Sequence, residues 1–105
     1  MCRTILITVL WTILVALPIS ATTIHVPDDY PLILDAMFFA NAGDTVLVEC
    51  GIYYEGNIQM KSGVTLISET GEVGCAMIDA QNMSRIIECV DCDETTVIKG
   101  FTLAS

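Results

Sequence analysis

Short runs of aliphatic and β-branched residues, separated by turn-forming residues, recur along the sequence after position 44. The predicted strands cover residues 45–48, 58–60, 64–67, 77–78, 85–88, 96–98 and 101–103, and a further short strand is predicted at 23–26. Val46, Leu66 and Ile86 follow one another at intervals of 20 positions. Such spacing is typical of a solenoid, in which each coil buries its inner face only against neighbouring coils. The competing interpretation is a β-sandwich, which also uses many short strands but does not predict a helix ahead of them.

One amphipathic helix is predicted ahead of these strands, over residues 30–42. Asp28 and Asp29 offer oxygen atoms that can cap its first N–H groups. Gly43 follows its last residue, where glycine readily adopts a left-handed conformation. Its expected buried stripe has helical spacing and consists of Tyr30, Ile33, Leu34, Met37 and Phe38.

The first 21 residues differ in composition from the rest of the chain. Arg3 precedes an uncharged apolar run over residues 4–17, and Pro18 is followed by small or aliphatic residues up to Ala21. This pattern predicts a signal peptide over residues 1–21, cleaved after Ala21, and a secreted, periplasmic or cell-surface protein over residues 22–105. The rival interpretation is a retained membrane anchor, although the run is short for a span of roughly 20 residues.

Charge, length and cysteine content constrain the remaining single domain. Thirteen acidic and four basic residues give a net charge of −9, which argues against nucleic acid as a partner. Removal of the leader leaves 84 of the 105 residues, and so small a domain is marginally stable without reinforcement. Structural disulfides are therefore predicted among Cys50, Cys75, Cys89 and Cys92, in any of three pairings. Metal binding by these thiols, or free thiols, are the alternatives.

Seven segments follow one another at residues 23–31, 35–36, 40–48, 51–55, 61–68, 77–79 and 95–103. In this order they resemble the opening of right-handed parallel β-helix proteins of the pectin-lyase-like superfamily. The resemblance implies an all-β, right-handed parallel β-helix whose N-terminal end is closed by the helix at 30–42. The sequence departs from that opening where Cys50 replaces a common proline, and where helix positions that are commonly polar or small carry Leu32, Leu34, Phe38 and Phe39.

The resemblance supports an expectation about the fold, but it gives little information about activity. The superfamily includes lyases, hydrolases, isomerases and adhesins, and a shared fold does not by itself confer a function. Its enzymes place acidic metal ligands and catalytic residues on central coils. No residue of this chain matches such a site, so no catalytic residue is assigned.

The polar residues offer few candidates for catalysis. His25 has no nucleophile placed as its partner. Asp79 and Arg85 flank a predicted turn, where they form either an acid–base pair or a surface ion pair. Glu55, Glu69 and Asp79 supply carboxylates, but no sequence argument aims two of them at one sugar, as glycoside hydrolysis requires.

Two turns are candidate ligand or modification sites. Asp91, Asp93 and Glu94 form an acidic turn that is a candidate calcium site, because calcium binds six to eight oxygen atoms; a solvated turn is the alternative. No other metal or cofactor is predicted. Asn82 begins an Asn-Met-Ser triplet, which makes it a candidate N-glycosylation acceptor.

The expected function is that of an exported parallel β-helix segment with a structural, surface-display or carbohydrate-contacting role and no catalytic site of its own. Tyr53 and Tyr54 are adjacent, so one ring is expected to face outward, where it can stack on a sugar of a polysaccharide or of cell-surface material. The alternative is the N-terminal fragment of a larger extracellular polysaccharide lyase or glycoside hydrolase. A strand pattern at 101–103, close to Ser105, predicts an open end after about three coils, which contacts further coils or self-associates.

Overall fold

The computed structural model describes residues 21–83 and 85–105. The predicted signal peptide lies outside these residues, except for Ala21. No helix in the described part of the chain is long and apolar enough to cross a membrane.

The described chain is mostly β-structure with one short helix, as the all-β prediction requires. Its strands are β1 (Thr23–Val26), β2 (Thr45–Val48), β3 (Gly51–Tyr53), β4 (Ile58–Met60), β5 (Thr65–Ser68), β6 (Ala76–Asp79), β7 (Ile87–Cys89), β8 (Val97–Lys99) and β9 (Phe101–Ala104). The helix, α1, covers Ile33–Phe39, between β1 and β2.

All strand pairs are parallel, and they form three sheets. The first sheet has the order β1-β2-β5-β8, the second β3-β6-β9, and the third β4-β7. From β2 onward the chain visits the first, second and third sheets in turn and repeats this order from β5; β8 and β9 then return to the first and second sheets. Residues at the same position of successive strands therefore lie side by side, as Ile24, Val46 and Leu66 do in the first sheet.

One face of each sheet contributes to a common core. Strand residues alternate between the two faces, so every second side chain of β1, β2, β4, β5 and β6 is buried. The buried cluster joins residues of all three sheets with one side of α1, and its members are Ile24, Val26, Ile33, Ala36, Met37, Ala40, Val46, Val48, Ile58, Met60, Val64, Leu66, Ala76 and Ile78. Removal of these apolar groups from water is the main force that holds the helix on the sheets.

The predicted 20-residue interval holds for one step only. Val46 pairs with Leu66, but Leu66 pairs with Ile98, and Ile86 belongs to no strand of the first sheet. Its neighbour Ile87 instead pairs with Ile58 in the third sheet. The prediction was wrong because the connections between strands differ in length, and a longer connection adds little free-energy cost. Strand β3 was also missed, since it lies outside every predicted strand.

The helix is shorter than predicted, and its buried side differs. It covers seven residues rather than 30–42, and Leu34 and Phe38 of the predicted stripe are exposed. Its buried residues are Ile33, Ala36 and Met37. Neither predicted aspartate caps it: the N-cap residue is Leu32, which makes no side-chain hydrogen bond to the first turn. The Asp29 carboxylate instead accepts a hydrogen bond from the backbone N–H of His25.

A buried aspartate connects the segment after the helix to the start of β1. The Asp44 carboxylate accepts hydrogen bonds from the backbone N–H groups of Asn41, at 2.9 Å, and Thr22, at 3.0 Å. These two bonds, the Asn41 bond first, hold the pKa of the Asp44 carboxyl below its ordinary value, because they favour the charged form more than burial disfavours it. Ionised Asp44 therefore fixes the turn that leads from α1 into β2.

Candidate functional site

A cleft of about 310 Å³ lies between α1 and the third sheet. We refer to it as the α1–β4 cleft. It is lined by side chains from the exposed side of α1 and from β4 and its flanking residues: Leu34, Asp35, Phe38, Asn57, Gln59, Met60 and Lys61. It therefore combines apolar and aromatic surface with a few polar groups, which is the usual composition of a small-molecule site.

Two charged residues that flank β4 hold the helix wall of this cleft. Buried Glu55 accepts hydrogen bonds from the backbone N–H groups of Ile33 and Leu34, at 2.8 and 2.9 Å. Lys61 donates through Nζ to the carbonyl oxygens of Phe38 and Ala40 at the other end of the helix, the latter at 2.9 Å. The negative charge faces the N-terminus of α1 and the positive charge faces its C-terminus, as the helix dipole favours. Both ends of α1 are thereby fixed to the same strand.

Phe38, on the helix wall of the cleft, belongs to an aromatic cluster with Phe39 and Tyr30. The Phe38 side chain is 69% exposed, and its ring centroid lies 5.6 Å from Nζ of Lys61. The Phe39 ring meets it edge-on at 5.1 Å between centroids, and Tyr30 stacks on Phe39 at 5.3 Å. These geometries are favourable for aromatic pairs and for a cation beside a ring. The Phe38 ring is thus held in place although it is mostly open to solvent.

Strand alternation places polar groups on the opposite wall. Ile58 and Met60 of β4 are buried, so Gln59 between them and Asn57 before them are exposed. Their carboxamides can each donate and accept hydrogen bonds, and Asp35 on the helix adds an acceptor. The backbone N–H of Asn57 donates to the Arg85 carbonyl at 2.9 Å, which fixes the start of this wall. The arrangement suits a ligand with many hydroxyl groups.

A second, smaller cleft of about 170 Å³ lies on the outer side of the first sheet. His25, Asp28, Glu49 and Glu69 contribute its polar lining. His25 thus shares a cavity with three carboxylates. This arrangement does not test the prediction that His25 has no nucleophile as its partner. We assign no ligand to this cleft.

Tyr53 lies near Glu49 and Glu69, two of the carboxylates that line this second cleft. Its hydroxyl donates to the Glu49 carbonyl at 2.8 Å. Partial burial, followed by the negative charges of Glu49, Glu55 and Glu69, raises the pKa of the Tyr53 hydroxyl, so Tyr53 stays neutral. Tyr54 is the outward ring of the pair, at 60% exposure, but it does not line either of the two clefts.

The four cysteines of the described residues form two disulfides, which confirms that part of the sequence analysis. The bonds join Cys50 to Cys75 and Cys89 to Cys92. Cys50 and Cys75 immediately precede Gly51 and Ala76, which are register partners in β3 and β6. The sulfurs of Cys50 and Cys75 lie within 4.8 Å of a Glu69 oxygen, but because they are bonded to each other they offer no thiolate to a metal.

Residues of the acidic turn and its neighbours make local contacts. Asp93 accepts hydrogen bonds from the hydroxyl and the backbone N–H of Thr95, and these, the hydroxyl bond first, lower the pKa of its carboxyl. Glu88 forms an ion pair with Arg85 at 2.9 Å. Asp91 and Glu94 are exposed. Among the described residues, no three candidate metal-ligating atoms of this turn lie within 4.8 Å of one another.

The predicted pair of Asp79 and Arg85 does not form. Arg85 pairs with Glu88 instead, and the Asp79 carboxylate accepts the backbone N–H of Gln81 at 3.0 Å. Asp79 ends β6, where this bond stabilises the following turn. Asn82, in that turn, is exposed.

The residues of the α1–β4 cleft were not predicted as a site. One signal for them is present in the sequence: Leu34 and Phe38 are large apolar residues on one side of the predicted helix. Both were expected in the buried stripe, whereas both side chains are exposed. The contribution of Asn57 and Gln59 depends on the docking of α1 beside β4, which no local pattern reveals.

Comparisons with protein-family models, with curated proteins and with solved structures find no match to this chain.

Proposed function

We propose that this protein is an exported parallel β-helix segment that contacts a neutral carbohydrate in the α1–β4 cleft, in a structural or surface-display role without chemistry of its own. The observation that carries the proposal is the exposed Phe38 ring facing a wall of hydrogen-bonding side chains across one cleft. The fold, the charge and the disulfides support different parts of it.

The order of the strands supports a β-helix. The chain passes from the first to the second to the third sheet twice in succession, always with parallel pairing. All three sheets contribute to one core. Coils that wind in this way bury their inner face against each other. Crossovers between parallel strands are nearly always right-handed, which favours a right-handed winding.

The chemistry of the cleft supports a sugar as its ligand. A pyranose has apolar C–H faces that pack on an aromatic ring and hydroxyl groups around its edge. Phe38 offers the ring, and Asn57 and Gln59 offer paired donors and acceptors at the opposite wall. The positive charge of Lys61 is engaged by two backbone carbonyls, and Asp35 adds a negative charge. The cleft therefore has no free excess of positive charge.

The charge of the whole chain favours a neutral carbohydrate over a polyanion. The net charge of −9 repels acidic polysaccharides at a distance. A uronate-rich polymer would need a basic surface to overcome that repulsion. A neutral glycan meets no such barrier.

Export is supported by the cysteines and by the leader sequence. Both disulfides require an oxidising compartment to persist, and such compartments are reached by export. The apolar segment at 4–17 and the small residues before position 22 are typical of a cleaved signal peptide.

A contact role is favoured over hydrolysis by the number of carboxylates. Glycoside hydrolysis uses two carboxyl groups on opposite sides of the scissile bond, about 5 to 9.5 Å apart. Asp35 is the one carboxylate among the described residues that line the α1–β4 cleft. A cleft with one carboxylate can orient a sugar, but it lacks the pair that cleaves it.

The proposal is tested by affinity electrophoresis of the purified protein through gels that contain a neutral glucan, mannan, xylan or galactan, with polygalacturonate as the acidic comparison. We expect retardation by at least one neutral polymer and none by polygalacturonate. Phe38→Ala is expected to weaken that binding about tenfold or more, which corresponds to about 1.4 kcal/mol. Tyr54→Ala is the matched control, because it removes another exposed aromatic ring that does not line the cleft.

Two results would overturn the proposal. Equal retardation of the wild type and of the Phe38→Ala variant would show that binding occurs elsewhere. Release of soluble sugar from any of the polymers by the purified protein would favour the hydrolase or lyase alternative instead.

A further inference from the structure

We propose that Asn82 carries an N-linked glycan beside the α1–β4 cleft. The proposal rests on the proposed export, because the modification takes place during passage through a secretory compartment. It does not depend on whether the cleft binds carbohydrate.

The sequence around Asn82 meets the acceptor requirement, and that around the other asparagines does not. Asn82 is followed by Met83 and Ser84, which completes the Asn-X-Ser triplet. Asn41 is followed by Ala-Gly and Asn57 by Ile-Gln, so neither has a hydroxyl residue at the second position. One of the three asparagines in the chain is therefore a candidate acceptor.

The backbone presents Asn82 at the tip of a tight turn. The backbone N–H of Met83 donates to the Ala80 carbonyl at 3.1 Å, which closes a four-residue turn after β6. Both central residues, Gln81 and Asn82, have positive φ values, of 50° and 70°. This geometry belongs to the type I′ turn, in which asparagine is one of the few residues tolerated without strain. Asn82 is exposed there.

The residues on both sides of the tip anchor the turn. The Asp79 carboxylate accepts the backbone N–H of Gln81 at 3.0 Å. The Met83 side chain lies against Gly56. A Cβ atom added to Gly56 would overlap the Met83 sulfur and would come within 3.1 Å of the Arg85 carbonyl oxygen. The neighbours of Asn82 are thus held by the fold, while no hydrogen bond joins the Asn82 amide to another described residue. A glycan on this nitrogen displaces no packed group.

The reaction is a group transfer without a change of oxidation state. The Asn82 amide nitrogen, Nδ2, forms a bond to C1 of an oligosaccharide, and the bond from C1 to a lipid-linked diphosphate breaks. The amide gives up one proton, and the lipid diphosphate leaves with the electron pair of the broken bond. The donor is a lipid diphosphate oligosaccharide, and the transferase belongs to the secretory compartment rather than to this chain.

The position of the turn would put the glycan at the edge of the cleft. The sulfur of Met83 lies 4.0 Å from the side-chain nitrogen of Asn57, and Asn57 lines the cleft. Asn82 is the residue directly before Met83. The first sugars of a glycan there extend over the surface next to the Asn57 wall.

The experiment is translation of the full chain in the presence of eukaryotic microsomes, once with its native start and once behind an added heterologous cleavable leader. We expect the protease-protected product of the second form to carry one endoglycosidase-sensitive increment in mass. Asn82→Gln and Ser84→Ala should lose the increment, whereas Ser84→Thr, which restores the acceptor triplet, should keep it. Asn41→Gln is the matched control and should keep it as well, because Asn41 is exposed and belongs neither to an acceptor triplet nor to the cleft lining.

The outcomes separate this inference from the proposed export. A translocated, protease-protected chain without a glycan would overturn the inference, and so would an increment that survives Asn82→Gln. Glycosylation behind the added leader but not behind the native start would support Asn82 as the acceptor site, but it would count against the proposed export and therefore against a glycan on the native protein. Glycosylation of both forms would support the two together.

Discussion

Replacement of Glu55 by alanine removes the acceptor for the first two backbone N–H groups of α1, which lie more than 20 positions before it in the chain. Ile33 and Leu34 donate to its two carboxylate oxygens at 2.8 and 2.9 Å, and Glu55 is buried. No residue next to the helix substitutes for it, because the N-cap residue Leu32 has no polar side chain. The variant therefore leaves two donors at a helix N-terminus without a partner.

The magnitude follows from these two bonds. A hydrogen bond to a charged group contributes roughly 1.5–3 kcal/mol, and a buried donor left unpaired costs a similar amount. The helix dipole adds to the stabilisation of a negative charge at this end. We expect Glu55→Ala to lower the free energy of unfolding by about 3–5 kcal/mol, out of a total of roughly 5–15 kcal/mol for a small domain.

Glu55→Gln provides a milder perturbation that remains measurable if the alanine variant does not fold. The carboxamide keeps the volume and one oxygen acceptor, but its NH₂ group faces the second backbone donor. We expect a loss of about 1–2 kcal/mol from the missing charge and the missing bond. Glu72→Ala is the matched control, because Glu72 is exposed, and its effect should lie within about 0.5 kcal/mol.

The assay is urea unfolding at neutral pH, followed by far-ultraviolet circular dichroism, together with amide hydrogen exchange at Ile33 and Leu34. We expect a lower midpoint with an unchanged slope, and faster exchange at both amides. If Glu55→Ala and Glu72→Ala gave the same midpoint, with both amides still protected, the assignment of Glu55 as the cap of α1 would be refuted.

Three further predictions use similar measurements. The Ser68 hydroxyl is fully buried and has no hydrogen-bond partner among the described residues, so Ser68→Ala should raise the free energy of unfolding by about 1 kcal/mol; a comparable loss would contradict this. The lowered pKa of Asp44 means that its contribution is present above its ordinary value of 3.8 and is lost as the pH falls through the folded-state pKa. Melting temperatures of the wild type and Asp44→Asn should therefore converge in acid, and a gap that stays constant with pH would count against it. Serine at both Cys50 and Cys75 should cost about 3.5 kcal/mol, because their bond closes a loop of 25 positions. The same change at the other disulfide, with a separation of 3, should cost about half as much, and the reverse order in calorimetry would disprove the loop argument.

Local patterns in the sequence were sufficient for most of the strands. Alternating apolar residues at 45–48 and 58–60 predict the bounds of β2 and β4 correctly, and the burial of their side chains alternates as expected. The prediction succeeds because alternation of side chains across a strand is a property of the extended backbone itself. Strand β3 was missed because it shows no such alternation: it is three residues long, begins with Gly51 and has no buried side chain.

The extent and orientation of the helix depended on contacts far away in the chain. Helical spacing predicted a helix in the correct region and one buried stripe, of which Ile33 and Met37 are buried while Leu34 and Phe38 are exposed. The orientation differs from the prediction because α1 is fixed at both ends by Glu55 and Lys61, which flank β4. A pattern within the helix contains no information about those partners.

The sequence by itself determined the short strands, the presence of one helix, the acidic charge and the expectation of disulfides, since each follows from local composition or from the properties of single residues. Only the tertiary structure decided which strands pair, which cysteines meet and which face of α1 remains open. Cys50 meets Cys75 because β3 pairs with β6, and Leu66 meets Ile98 because a long connection lies between them. Connections of different length cost nearly the same free energy, so spacing along the chain does not specify pairing; burial of the common core does.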